Sequence, residues 1–139
     1  MNFLLDTNVV SESTKPQPNQ GLVAWLADVD EDRTFLSVMT LAELRYGLER
    51  LSAGRKRNRL EEWLEHDLKI RFEDRILGVN AEVADVSGKL VAESESMGRP
   101  METRDALIAA TSKTYELTLV TRNTRDFEAI IKTILNPWS

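Results

Sequence analysis

The chain lacks cysteine altogether and has a single histidine among its 139 residues. Without cysteine there is no disulfide bond, no thiol nucleophile and no cysteine-ligated zinc site, and this composition suits a reducing cytosol. His66 lies between Glu65 and Asp67 on a predicted amphipathic helix, and we interpret it as a surface residue because no serine nucleophile motif accompanies it. Neither of the common glycine-rich phosphate-binding loops is present. The sequence therefore points away from thiol chemistry, serine–histidine chemistry and both of those nucleotide-binding classes.

Long apolar runs and an excess of basic charge are also missing. No stretch approaches the ~20 apolar residues of a membrane span, and Asp6 interrupts the N-terminal apolar stretch too early for a signal peptide. Acidic residues outnumber basic ones by 23 to 18, which gives a formal net charge of −5. Such a chain is a poor candidate for nonspecific coating of DNA. It can still act on nucleic acid if a metal ion brings positive charge to the site.

What is present is an ordinary globular composition, 42% hydrophobic, which predicts a single domain over residues 1–139. Strand-like and helix-like stretches alternate, and this alternation predicts an α/β fold around a mainly parallel sheet. Strands are predicted at residues 2–6, 34–38, 76–79, 117–121 and, at an edge, 133–135. Helices are predicted to begin after Gly54 and at the capping residues Asn19, Thr40, Asn80, Thr103 and Thr124.

Four acidic residues fall at equivalent places in this plan. Asp6 ends the first strand, and Glu43 lies in the first turn of the helix after the second strand. Asp105 and Asp126 lie in the first turns of the helices that precede and follow the fourth strand. In a parallel sheet with right-handed crossovers, strand ends and the helix starts that follow them share one edge, where such sheets bind ligands. The four carboxylates are therefore expected to meet in one crevice.

Each of these acids also has a structural interpretation. Asp6 can cap the turn after the strand, and Thr40 and Glu43 have the spacing of a capping box. Asp105 and Asp126 are harder to explain in this way, because each shares a helix face with apolar residues. A carboxylate on a buried face is costly unless it is paired or bound to metal.

Several carboxylates in one crevice repel each other unless some take up protons or a cation binds among them. Oxygen-only ligands favour Mg²⁺ or Mn²⁺ over zinc. Such an ion can activate water and neutralise the charge that develops on a phosphate during in-line attack. The sequence therefore predicts a metal-dependent site for phosphate chemistry.

Five segments, taken in order, resemble the PIN-domain ribonucleases and, among them, the VapC/FitB-type toxins of bacterial toxin–antitoxin pairs. Each segment alone is weak, but all of them in this order, with an acid in each of the first four, form a specific pattern over essentially the whole chain. The segments are Leu4–Asn8, Thr40–Gly47, Asp105–Ala110, Val120–Phe127 and Asn136–Trp138.

The resemblance implies a three-layer α/β/α fold around a four- to five-stranded, mainly parallel sheet. It implies a metal-dependent endoribonuclease, with Mg²⁺ or Mn²⁺ as cofactor, that cleaves single-stranded or loop RNA as the toxin of such a pair. It also implies a partner, a small antitoxin encoded beside the toxin, whose C-terminal segment covers the acidic site.

By position, the resemblance assigns Asp6, Glu43 and Asp105 to the family's core acids, as catalytic residues and metal ligands. The fourth acid is taken to be Asp126, although family members can carry it where this chain has Asn123. Residues that resemble supporting ones, which orient carboxylates or metal-bound water, are Thr7, Asn8, Thr121 and Asn123.

One segment departs from the family pattern. Met101–Arg104, before Asp105, is more charged than the apolar, proline-containing approach that the family has there. Arg104 can pair with a neighbouring acid, and the sequence leaves its effect on the site open.

Three other functions share parts of this pattern. A receiver-type signalling domain needs a second acidic cluster after the first strand and a lysine after the last, but Lys132 lies far from a strand end. A phosphatase of the haloacid dehalogenase type needs Asp-x-Asp after the first strand, and Asn8 stands where its acid–base residue belongs. A catalytically inactive PIN scaffold that only binds protein or RNA retains the same residues, and a nuclease assay with magnesium distinguishes it.

Two surface features bear on binding. The basic run at residues 55–59 can contact RNA phosphates or form a solvated helix end, and the second interpretation is favoured. Trp25, Tyr46 and Trp63 are more large side chains than we expect a small core to hold. We therefore predict a homodimer that buries part of this surface, with the antitoxin in a groove beside it.

Overall fold

Five short parallel strands form a single sheet in a computed structural model, which describes residues 1–139. The spatial order is β3-β2-β1-β4-β5, so β1 is central and the direction of winding reverses between β1 and β4. The strands are β1 Phe3–Leu5, β2 Thr34–Ser37, β3 Ile76–Leu77, β4 Thr118–Val120 and β5 Ile134–Leu135. The predicted parallel sheet and its edge strand are confirmed, and each strand is one or two residues shorter than predicted.

The apolar residues of the central strands separate two hydrophobic cores. Leu4 lies in one core and Leu5 in the other, and on the neighbouring strand Leu119 and Val120 divide in the same way. Successive strand residues point to opposite faces, so a run of apolar residues without alternation is required when both faces are covered. The predicted three-layer α/β/α arrangement follows directly.

Helices cover both faces of the sheet. One core is closed mainly by α6 and α7, and the other by α1, α2 and the hairpin formed by α3 and the helical stretch after it. That stretch passes from α4 through one π-helical segment, Trp63–Leu68, into α5. The helices are α1 Thr7–Ser13, α2 Gln20–Asp28, α3 Val38–Glu49, α4 Arg55–Glu62, α5 Lys69–Arg71, α6 Ala81–Ser96 and α7 Thr103–Thr114. None of them has the length and apolarity required to span a membrane.

Several predicted helix starts are wrong. Helix α1 was not predicted. The cap of α3 was predicted at Thr40, whereas Ser37 caps that helix by accepting a hydrogen bond from the Met39 N–H at 3.0 Å. Glu102, not Thr103, is the residue before α7. The helix predicted from Thr124 is only a 3₁₀ turn, Thr124–Asp126, followed by further turns. The caps predicted at Asn19 and Asn80 are confirmed.

One residue of the basic run at 55–59, Arg57, has a structural role. Arg57 donates hydrogen bonds to the backbone carbonyls of Leu48, Glu49 and Leu51, and so supplies donors to carbonyls at the carboxyl end of α3. Its neighbours at residues 55, 56, 58 and 59 are exposed, which is compatible with both interpretations of this run.

The aromatic residues assigned to a dimer surface divide between core and surface. Trp25 and Trp63 are partly buried and pack against the second core, so only part of each side chain remains at the surface. Tyr46 is 61% exposed, and the Arg50 guanidinium lies over its ring at 5.5 Å. Tyr46 is therefore the most exposed of the three side chains.

Candidate active site

A cavity of about 780 Å³ opens at the carboxyl edge of the sheet, where the winding reverses between β1 and β4. Ligands of open α/β sheets bind at this position. The cavity is lined by seven of the eight residues predicted to form the site: Asp6, Thr7, Asn8, Glu43, Asp105, Asn123 and Asp126. The eighth, Thr121, is fully buried directly behind them.

Asp6 is held at the point where β1 ends and α1 begins. Its Oδ1 accepts a hydrogen bond from the Thr7 N–H at 2.8 Å, and its Oδ2 accepts one from the Thr121 hydroxyl at 2.8 Å. The residue is only 8% exposed, and burial raises the pKa of its carboxyl above the ordinary value although both hydrogen bonds oppose the rise. Asp6 therefore caps a helix and faces the cavity at the same time, so the two interpretations of the sequence are compatible.

Thr121 and Asn8 join the ends of β1 and β4 through this carboxylate. The Asn8 amide donates to Asp6 Oδ2 at 3.3 Å, and its oxygen accepts from the Arg122 N–H at 3.1 Å. The Thr121 hydroxyl also accepts from the Asn123 N–H at 3.0 Å. Thr121 and Asn8 together fix the orientation of the buried Asp6 carboxylate between the ends of the two strands.

Glu43 reaches the same cavity from the second turn of α3. Because α3 begins at Val38, Thr40 lies inside the helix, and Thr40 and Glu43 do not form the capping box that their spacing allowed. The Thr7 hydroxyl instead donates to Glu43 Oε1 at 3.0 Å, while Glu43 Oε2 lies 3.5 Å from the Arg104 Nε. Burial raises the pKa of the Glu43 carboxyl, against the effect of the Thr7 hydrogen bond.

Asp105 and Asp126 complete the acidic wall. Burial, and then the charges of Asp126 and Asp6, raise the pKa of Asp105 to about 6. Asp105 is half-buried, as its position on the apolar face of α7 predicted, but Asp126 is exposed at the mouth of the cavity. The prediction that Asp126 is buried on an apolar helix face, where its charge is costly, is therefore wrong. Asn123 also lines the mouth, so both candidates for the fourth position face the same space.

The donor set fits a hard divalent cation. All the acids supply oxygen, and three of them carry raised pKa values, the mark of carboxylates held out of water or near each other without a cation. No group of three or more acidic or histidine side chains lies close enough to form a closed metal cluster. Mg²⁺ keeps several waters and is commonly held by only one or two carboxylates, so an open arrangement of this kind suits it.

Three arginines face the cavity, and of these the sequence indicated only Arg104, whose predicted pairing with a neighbouring acid is confirmed by its 3.5 Å contact with Glu43; Arg99 and Arg125 were missed. Arg99, Arg104 and Arg125 line the cavity together with the acids. Arg99 donates to the backbone carbonyl of Arg125 at 2.8 Å and lies 3.8 Å from a Glu128 carboxylate oxygen. The available signal was position: each of Arg104 and Arg125 directly precedes a site acid in the chain. The cavity is therefore of mixed charge.

The residues that the sequence analysis placed outside the site lie outside it. His66 is exposed and lies 3.7 Å from the Glu62 carboxylate on the same face of the helix. Lys132 lines a different cavity, near the starts of β4 and β5. Neither side chain lines the cavity that contains the four site acids.

Comparison with known proteins agrees with this geometry. The family model described as PIN domain matches residues 3–132. The chain is 41% identical to toxin FitB of Neisseria gonorrhoeae over 136 residues, 98% of each chain. It is 33% identical to VapC ribonuclease Y4jK of Sinorhizobium fredii, over 98% of this chain and 97% of that protein. A solved structure of FitAB bound to an IR36 DNA fragment superposes with a TM-score of 0.93 at 38% identity, covering 99% of this chain and 96% of that one.

Proposed function

The chain belongs to the PIN domain family, in the group of the FitB and VapC toxins, and we propose that it is a divalent-cation-dependent endoribonuclease acting as the toxin of a toxin–antitoxin pair. The observation that carries the proposal is the convergence of four carboxylates from separate parts of the chain on one cavity at the reversal of the sheet. Its substrate is single-stranded or loop RNA, whose splayed bases and flexible backbone can enter an open cavity.

The cation is Mg²⁺ or Mn²⁺, bound among Asp6, Glu43, Asp105 and Asp126, with one or two of these carboxylates as direct ligands and the others acting through metal-bound water. When bound, it supplies an activated water and neutralises the charge that builds on the phosphate. Asn123 is the alternative to Asp126 as the fourth position, since both side chains line the mouth of the cavity.

The protein's own contribution is to hold these oxygens in place. Both oxygens of Asp6 accept hydrogen bonds, so its orientation is set by β4 and by the first backbone N–H of α1. Thr7 anchors one oxygen of Glu43 and leaves the other facing the cavity. A carboxylate fixed by such contacts loses little further freedom when it binds an ion, which favours binding.

A small antitoxin and a second copy of the chain are the proposed protein partners. Exposed apolar side chains on the hairpin support an interface there: Tyr46 on α3 is 61% exposed and Ile70 on α5 is 70% exposed. RNA substrate and antitoxin are both products of the cytoplasm, and we place the activity there. Light scattering that shows only monomer at high micromolar concentration would refute the homodimer.

The function is tested first in cells, by inducing the chain with and without the small reading frame beside its gene. Growth arrest that the neighbour relieves is the expected result. Harmless expression of soluble protein at high level would contradict the toxin assignment.

The activity is tested with purified protein and a mixed RNA substrate. Cleavage is expected with Mg²⁺ or Mn²⁺, and it should stop with a chelator and in Asp6→Asn. Asp85→Asn is the matched control, because Asp85 is an exposed acid on α6 that pairs only with Lys89. If the wild-type protein binds RNA but does not cleave it with either Mg²⁺ or Mn²⁺, it is a catalytically inactive scaffold.

A further inference from the structure

Arg104 lies against the proposed cation site, close to the acids and open to the cavity. Its Nε is 3.5 Å from Glu43 Oε2, and its Nη2 is 3.5 Å from a carboxylate oxygen of Glu102. The side chain is 47% exposed and lines the cavity. It is therefore in reach of the acids and of any anion that enters.

These contacts are longer than those of the two arginines that pair with glutamates on the helical hairpin. Arg45 lies 2.8 Å from Glu65, and Arg57 lies 3.0 Å from Glu49 while also bonding three backbone carbonyls. Ion pairs of half-exposed side chains at 3.5 Å contribute little. Arg104 can therefore change partners at small cost.

Arg104 lies beside the Glu43 oxygen that is better placed to bind a cation. Glu43 Oε1 accepts the Thr7 hydroxyl, whereas Oε2 accepts no other hydrogen bond, and Oε2 is the atom that Arg104 approaches. A divalent cation on that oxygen would repel the guanidinium. The two positive groups thus compete for one carboxylate oxygen.

We propose that Arg104 exchanges partners: it pairs with Glu43 while the cation site is empty and, displaced by the cation, binds a phosphodiester of the RNA in the same cavity. A guanidinium is well suited to this because its planar fork matches phosphate oxygens. This inference rests on the proposed function, since it takes RNA as the occupant. It makes cation and RNA binding mutually reinforcing, with equal effects in both directions.

The first test measures Mn²⁺ affinity by titration calorimetry without RNA. Arg104→Gln removes the competing charge and should tighten Mn²⁺ binding roughly tenfold, the effect of a unit charge close to a dication in a solvated site. Arg99→Gln is the matched control, because Arg99 lines the same cavity but bonds Arg125 and Glu128 instead; its effect should be about twofold or less because of screening.

The same titration in a Glu43→Gln background separates competition for Glu43 from a general effect of charge. Arg104→Gln should then change Mn²⁺ affinity by only about as much as Arg99→Gln does. Equal effects of the two arginine variants in the wild-type background, or no effect of Arg104→Gln, would overturn the proposal.

The second test measures binding of a fluorescent single-stranded RNA oligonucleotide by anisotropy, with and without Ca²⁺, and gel electrophoresis checks that the oligonucleotide stays intact. Ca²⁺ should tighten RNA binding by wild type and by Arg99→Gln, but much less by Arg104→Gln. Arg104→Lys should recover part of the effect, since it keeps the charge and loses the fork. An unchanged Ca²⁺ effect in Arg104→Gln refutes the exchange.

These outcomes separate the inference from the function on which it rests. If the protein never cleaves RNA, the proposed function fails, while the Mn²⁺ titrations still decide whether Arg104 competes for Glu43. If RNA is cleaved normally but Arg104→Gln alters neither Mn²⁺ nor RNA binding, the exchange fails and the function stands.

Discussion

Replacing Asp105 by asparagine should stabilise the metal-free protein at neutral pH while it abolishes cleavage. The folded protein raises the pKa of this carboxyl from 3.8 to about 6, through burial and then the charges of Asp126 and Asp6. A difference of that size corresponds to about 3 kcal/mol at ~1.4 kcal/mol per pH unit. Because the group is half-exposed, solvent screening reduces this figure, and we expect a gain of ~1–1.5 kcal/mol in the free energy of unfolding.

The gain should depend on pH with a definite sign. A raised pKa means that the folded protein binds the proton more tightly than the unfolded chain does. The stability that Asp105 contributes is therefore fully present below pH 3.8 and is lost as pH rises through about 6. The advantage of Asp105→Asn over wild type should be complete above pH ~7 and shrink progressively as pH falls towards ~4.

Urea unfolding in the presence of a chelator measures this difference, with Asp85→Asn as an exposed control that should change stability by less than ~0.5 kcal/mol. Millimolar Mg²⁺ should then raise the stability of wild type and leave the variant unchanged, because only a protein that binds the ion gains from it. Equal stability of Asp105→Asn and wild type at pH ~7.5, or a loss in the variant, would refute the reasoning.

Three further predictions test the site and the packing of the chain around it. Thr121→Val removes the buried donor to the carboxylate after β1, and should cost ~1–3 kcal/mol in urea unfolding and reduce cleavage; unchanged stability would contradict the role given to this hydroxyl. Gly21→Ala places a Cβ 2.5 Å from a backbone oxygen of the C-terminal tail, and should cost ~1–3 kcal/mol in thermal unfolding, whereas Gly47→Ala, with no atom within 4 Å, should be neutral or stabilising. Asp126→Asn should weaken Mn²⁺ binding and cleavage if Asp126 is the fourth acid; if it changes neither and Asn123→Asp instead raises Mn²⁺ affinity, the assignment passes to position 123.

The sheet and the acidic edge were predictable because they depend on features that are local in sequence. Leu4 and Leu5 run without alternation into Asp6, and this pattern alone indicates a strand covered on both faces that ends at a polar edge. The order of acids relative to strands then follows from the geometry of parallel sheets.

The errors arose where two local signals compete. Ser37 and Thr40 are both good caps, and the acid three residues after Thr40 made the later one look correct, although α3 begins directly after β2 and Ser37 caps it. The helix α1 has seven residues, two of them adjacent valines, so its composition favours a strand. Arg99 and Arg125 were missed because a basic residue near a site acid has no characteristic spacing.

The hydrogen bond between Thr121 and Asp6 joins residues 115 positions apart in the chain. Asp6 directly follows β1 and Thr121 directly follows β4, and these two strands are neighbours in the sheet. The strand β1 therefore gains β4 as its second neighbour only after most of the polypeptide has been made. Two of the four acids, Asp105 and Asp126, also lie in the last third of the sequence. Contacts of such long separation form late, and a growing chain truncated before β4 has no complete cavity. A protein of this kind thus acquires its destructive activity near the end of its own synthesis, which gives a partner time to be present before the first RNA can be cut.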